Sequence, residues 1–159
     1  MMGLKERAFA PKVSVSLEEL VPQEHFYRHV QKVLDLSFVH DLVRERYAVA
    51  GRPSIDPVVF FKLQLVMFFE DIRSERLLMR QVADRLSVRW YLGYDLDEPL
   101  PDHSTLSKIR LRYGLSVFRR FFLYASSEKL RNRYSLLSLR SRLQLCSLKA
   151  IPHVQHGSI

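Results

Sequence analysis

At 159 residues, 47% hydrophobic and 26% charged, the chain has an ordinary composition for a single soluble globular domain with a core of its own. Five glycines disfavour a hairpin-rich β protein, and the single cysteine, Cys146, excludes an internal disulfide or a multi-thiolate zinc site and fits a reducing compartment. Net charge is +8, but residues 1–100 carry 14 Lys and Arg against 15 Asp and Glu, whereas residues 101–159 carry 11 against 2. The whole basic excess therefore lies in the second part. It suits a polyanion, with nucleic acid first, an anionic membrane surface second and a merely solvated basic face as the third reading.

Taken in chain order, residues 1–14 read as a flexible N-terminal tail, with Lys5, Glu6, Arg7 and Lys12 leaving no apolar stretch for a signal peptide. Ser16 with Glu19 three places on forms a capping-box pattern for one short turn closed by Pro22. Two short helices follow. One places Phe26, Val30, Val33 and Leu34 on one side, and the other, starting at Ser37, places Phe38, Val39, Leu42 and Val43 likewise. A loop from Gly51 to Ile55 leads to Asp56 as N-cap and Pro57 at the first helical position. The helix beyond is apolar nearly all round, from Val58 to Phe69, and is predicted to be the central one. Lys62 and Gln64 interrupt it, and it falls short of the roughly 20 residues needed to span a bilayer. Ser74 caps a further helix with Leu78, Val82 and Leu86 in line, and Trp90, Tyr91 and Leu92 follow as an aromatic anchor. The predicted fold class is all-α, a compact multi-helix domain.

The segment DLDEPLP, with its two prolines, cannot be regular structure and reads as a linker. Asp95, Asp97, Glu98, Asp102, His103 and Ser104 crowd around it, and these residue types build metal and hydrolytic sites. Neither reading fits well. No glycine or distal Glu completes a calcium-loop pattern, and side chains of the consecutive residues Asp102, His103 and Ser104 are expected to diverge rather than form a catalytic relay. The third reading makes Asp102 the N-cap of a helix running to Tyr113, its carboxylate accepting from the amide of Ser104 or Thr105 at the positive end of the helix dipole.

On that helix Leu106, Ile109 and Tyr113 fall within about 60° of one another and face a core, while Ser104, Ser107, Lys108, Leu111 and Arg112 fall on the far face with Thr105 and Arg110 at its margins. Small hydroxyl residues in the first turn let a helix approach base edges, and the cations behind them reach phosphates or guanine. A solvated amphipathic helix is the alternative.

The run GRPSIDPVVFFKLQL, followed by SERLLMRQVADRLSVRWYLGYDLDEPLPDHSTLSKIRLRYG, resembles the N-terminal domain of InsH-type insertion-sequence transposases. That family carries a G-R-P-x-x-D-P loop, an aromatic turn like R-W-F-L-G and a P-D-H-S-T-x-S-x-x-R helix start, and the resemblance spans Val15 to Phe122. It implies a helical DNA-binding domain over 15–122 that recognises the terminal inverted repeats of an element, with His103, Ser104, Ser107, Lys108, Arg110 and Arg112 on the DNA-facing helix. About 15 residues separate Leu86 from Asp102, against the 3–4 of a simple helix-turn-helix, so the unit is at best an elaborated variant. The resemblance also implies a following catalytic domain with carboxylates holding Mg²⁺. After Asp102 the sequence has one acidic residue, Glu128, so the expectation is a truncated, non-catalytic chain with no cofactor of its own. Residues 123–159, rich in Leu, Ser and Arg, read as a basic tail, disordered or out of frame. Expected partners are double-stranded DNA and a full-length transposase or a second copy, without a membrane, in the nucleoid-associated cytoplasm of a bacterium. The competing expectation is a helical module that regulates a full-length transposase without touching DNA.

Overall fold

A computed structural model describes residues 14–47 and 54–125 of the chain. The expected N-terminal tail up to residue 13, the Gly51 to Pro53 part of the loop, Cys146 and the basic tail from residue 126 lie outside the described residues. Among the described residues every regular element is helical: α1 (Leu17–Leu20), α2 (Phe26–Val33), α3 (Phe38–Val43) with a 3-10 turn at Arg44–Arg46, α4 (Pro57–Phe69), α5 (Glu75–Asp84), α6 (Leu86–Leu92) and α7 (His103–Ala125). The chain is all-α, as its composition predicts. None of these helices is long and apolar enough to cross a membrane.

α4 is the centre. Asp56 accepts the Val58 amide at 2.7 Å and Pro57 occupies the first turn, so the helix starts where its own N–H groups need a partner. Phe60, Phe61, Leu63, Leu65 and Val66 are buried because α3, α5 and α6 pack on different sides of it, and α7 stacks Tyr113 and Phe121 on Phe61. Even its two polar residues are used inward. Lys62 donates to the Tyr91 carbonyl at 2.8 Å, and Gln64 accepts from Arg110 at 2.9 Å. Burial depresses the Lys62 ammonium below its ordinary range.

Several local expectations shift. In α2 the inward residues are Tyr27, Arg28 and Val30, whereas Phe26 is exposed and meets the edge of Phe69, and Val33 and Leu34 are only half-buried. His25, unpredicted as a cap, accepts the Tyr27 amide through Nδ1. Arg28 is buried because its guanidinium donates to the Val21 carbonyl and Glu18 and lies 4.4 Å from the centre of the Trp90 ring. α3 follows Ser37 directly; the Ser37 side chain makes no cap hydrogen bond, its backbone is helical and its amide donates to Asp35 at 2.9 Å. Arg85 adopts an extended conformation that ends the Ser74-capped helix, so Leu86 begins a new helix, α6, and is exposed rather than in line with Leu78 and Val82. Tyr91 and Leu92 do plug the core, while Trp90 stays half-buried. Leu123, Tyr124 and Ala125, expected in the tail, complete α7.

Glycine occupies two breaks in the helical backbone. Gly93 closes α6 at φ 85° and donates to the Arg89 carbonyl, a left-handed cap that other residues enter at a cost. Gly114 sits at φ 67° and ψ 172° inside α7, dividing it into a first half, 103–113, and a second, 115–125.

Candidate nucleic-acid interface

The first half of α7 is fixed at its start by two devices. The carboxylate of Asp102 accepts the Ser104 amide at 2.7 Å and its carbonyl accepts the Thr105 amide, so Asp102 is the N-cap. Hydrogen bonds from the Ser104 side chain and amide, with His103 adding to them, hold the Asp102 carboxyl below its ordinary range. The second device is Arg89, buried at the end of α6. Its guanidinium donates to the carbonyls of Asp95, Leu96 and Glu98 at 2.8–3.2 Å, drawing the proline-broken linker into one shape. A planar fork with five donors suits that task, since three carbonyls approach from one side. The acidic side chains of this linker face outward, and Asp95, Asp97 and Glu98 are all exposed.

The two faces of the helix then separate. Leu106, Ile109 and Tyr113 are buried, and Tyr113 closes the inner face by stacking on Phe61 and sharing a hydrogen bond between its hydroxyl and that of Tyr47. Ser104, Ser107, Lys108, Arg110, Leu111 and Arg112 are exposed, and His103 is half-buried. These six predicted residues other than Leu111 nevertheless divide by what they touch. Ser107 donates to Glu75 of α5, and the Arg110 guanidinium lies 2.8 Å from the same carboxylate while also donating to Gln64. His103 pairs with Asp102 at 3.3 Å. Arg112 lies 5.4 Å from the centre of the Tyr47 ring, its side chain drawn along the helix toward the turn after α3. Lys108 stands fully outward, and Ser104 is exposed with its hydroxyl bonded to the Asp102 carboxylate. Sequence periodicity found the face; it missed Glu75 and Tyr47, which arrive from α5 and from the turn after α3 and carry no local signal of contact with α7.

The cluster Asp102, His103 and Ser104 is tighter than the sequence suggests, because one carboxylate reaches both neighbours. It binds the imidazole through Nδ1 on one side and Ser104 on the other. The carboxylate stands between the other two groups, whereas a relay needs the imidazole between hydroxyl and carboxylate. Among the described residues no three His, Cys, Asp or Glu side chains gather in a way that could hold a metal ion. The charge of 101–125 is one-sided, five Lys and Arg against Asp102 alone, and Glu75 is the carboxylate that α5 brings against it.

Compared with known protein families, residues 15–112 match the transposase domain family DUF772. The chain belongs to that family. The matched stretch of this transposase domain runs from the residue before the α1 cap through the last cation of the first half of α7, so it contains the central helix, the Arg89-clamped linker and the outward face. No curated protein and no solved structure matches the chain.

Proposed function

We propose that this transposase domain binds double-stranded DNA, the terminal inverted repeats of an insertion sequence, through the outward face of the first half of α7. The observation that carries the reading is the separation of faces on one capped helix. Leu106, Ile109 and Tyr113 anchor it in the core, while Ser104, Lys108 and Arg112 stand in solvent on the other side. A helix held this way offers hydroxyls near its N-terminus to base edges and cations further along to phosphates. α5 and α7, joined through Glu75 and separated in sequence by α6 and the linker 93–102, act as an elaborated helix-turn-helix. Of the predicted contacts, Lys108, Arg112 and Ser104 are the direct ones; Ser107 and Arg110 brace the helix and His103 steadies its cap. The proposed role is binding, on the nucleoid of a bacterial cytoplasm, and the strand chemistry of transposition is assigned to none of the described residues.

The test is titration of the full chain with labelled duplexes from the element's ends and with scrambled duplexes of the same length, across a range of salt. Preference for the ends and weakening with salt are expected; equal, salt-insensitive binding to both would sink the reading. A second reading, association with a full-length transposase without DNA, draws on Leu115 and Leu123, exposed on the second half of α7. Size-exclusion chromatography of the two chains with and without DNA separates the two.

A further inference from the structure

Leu111 is 84% exposed, the highest value among the exposed large hydrophobic residues described, the next being Leu115 at 57%. Its place on the helix is specific. At about 100° per residue, it lies roughly 170° from the mean direction of Leu106, Ile109 and Tyr113, so it points directly away from the core. Ser104 and Ser107 lie within about 40° of it, and Lys108 and Arg112 follow at about 60° and 100° on one side. The apolar side chain is thus the apex of a face otherwise made of short hydroxyls and cations.

That surrounding selects among occupants. A second copy would bring Lys108 and Arg112 against their own kind, and like charges placed opposite each other repel. Double-stranded DNA meets the cations with phosphates, the hydroxyls with base edges, and one apolar apex with the one apolar group that the major groove displays, the C5-methyl of thymine. We propose that Leu111 is a base-reading residue that packs against a thymine methyl group. The inference rests on the reading of α7 as the DNA-facing helix and adds to it a sequence preference at one base pair.

The experiment uses the full chain and a duplex recovered by that chain from a randomised pool, with each thymine replaced in turn by deoxyuridine, which lacks only the methyl group. At one position the replacement should weaken binding by about fourfold, the effect of removing one methyl-sized apolar contact. Leu111→Ala, whose melting should equal that of the parent because the position is exposed, should bind the two duplexes equally, and Lys108→Ala should keep the fourfold difference at lower affinity. If no replacement affects the parent, or if Leu111→Ala retains the same penalty, the assignment of Leu111 is overturned while salt-dependent binding and the Lys108→Ala effect keep the DNA reading standing. If the pool yields no preferred duplex, both fall.

Discussion

The Glu75 carboxylate at the start of α5 stands 2.8 Å from the Arg110 guanidinium of α7, and it also accepts the Ser107 hydroxyl. Glu75 is only 12% exposed, so this acid is positioned beneath the basic helix rather than beside it in solvent. A pair so placed holds two helices in register and removes one cation from the outward face. Arg110→Ala is therefore expected to destabilise the fold, by about 1 kcal/mol since the guanidinium is half exposed. The salt dependence of DNA binding should barely change. Urea melts and anisotropy titrations on the same variant check both halves; a lost salt slope at unchanged stability would return Arg110 to the DNA contacts.

Lys108 and Arg112 should behave in the opposite way. Each alanine variant is expected to keep the parent's helicity and melting midpoint while reducing the slope of log K against log salt by about 0.9, the value of one phosphate contact. Unchanged slopes in both would remove the outward face as the binding surface. Arg112 has a second tie, to the Tyr47 ring, so Tyr47→Leu should lower affinity less than Arg112→Ala and in the same direction.

Acid should loosen the domain through its hydrogen-bonded carboxylates, Glu70 and Asp102 among them. The Glu70 carboxyl is held below its ordinary 4.5 chiefly by hydrogen bonds from Arg85, with Tyr27 adding another, and Asp102 is held below 3.8 by Ser104. Both groups thus bind protons more weakly folded than unfolded. Their stabilisation is complete above those ordinary values and is lost as pH falls through the lower, folded ones. Glu70→Gln and Asp102→Asn should each flatten the decline in melting temperature below about pH 4.5. Asn can still cap the helix, so Asp102→Asn should fold normally at neutral pH where Asp102→Ala is weakened. Identical acid limbs in parent and variants would contradict the assignment.

Arg89 is 7% exposed and serves three carbonyls at once. Replacing it with Leu removes hydrogen bonds from a charged donor to those part-buried carbonyls, at a cost of about 1.5–3 kcal/mol. Arg89→Lys should recover only part of that loss, because a single ammonium cannot reproduce the fork. Hydrogen exchange should report the change in the amides at the start of α7 before those of α4; protection unaltered there would deny the linker its role in setting the helix.

Periodicity along the chain was sufficient for α4, since a segment apolar on every side can only be interior, and for the inward row of Leu106, Ile109 and Tyr113. It also located the Asp56 and Asp102 caps, because a cap is a contact between residues two places apart and is written locally. It was weaker where two elements meet end to end. The alignment of Leu86 with Leu78 and Val82 presumes one continuous helix, and the extended backbone of Arg85 ends that continuity. Phe26 was expected inward with Val30, yet Tyr27 takes the buried place because its hydroxyl can reach Glu70 at 2.8 Å, a partner 43 residues away.

By itself, then, the sequence determined the helical class, the central helix, the capped start of α7 and the division of that helix into an apolar row and a basic one, all of which follow from spacing within a few turns. Tertiary structure decided which cations of the basic row remain outward. Glu75 and Gln64 come from other elements to engage Arg110, while Lys108 and Arg112 stay exposed, Arg112 beside the Tyr47 ring. Charge pairing depends on distance in space, and that distance is set only once α5 and the turn after α3 pack beside α7.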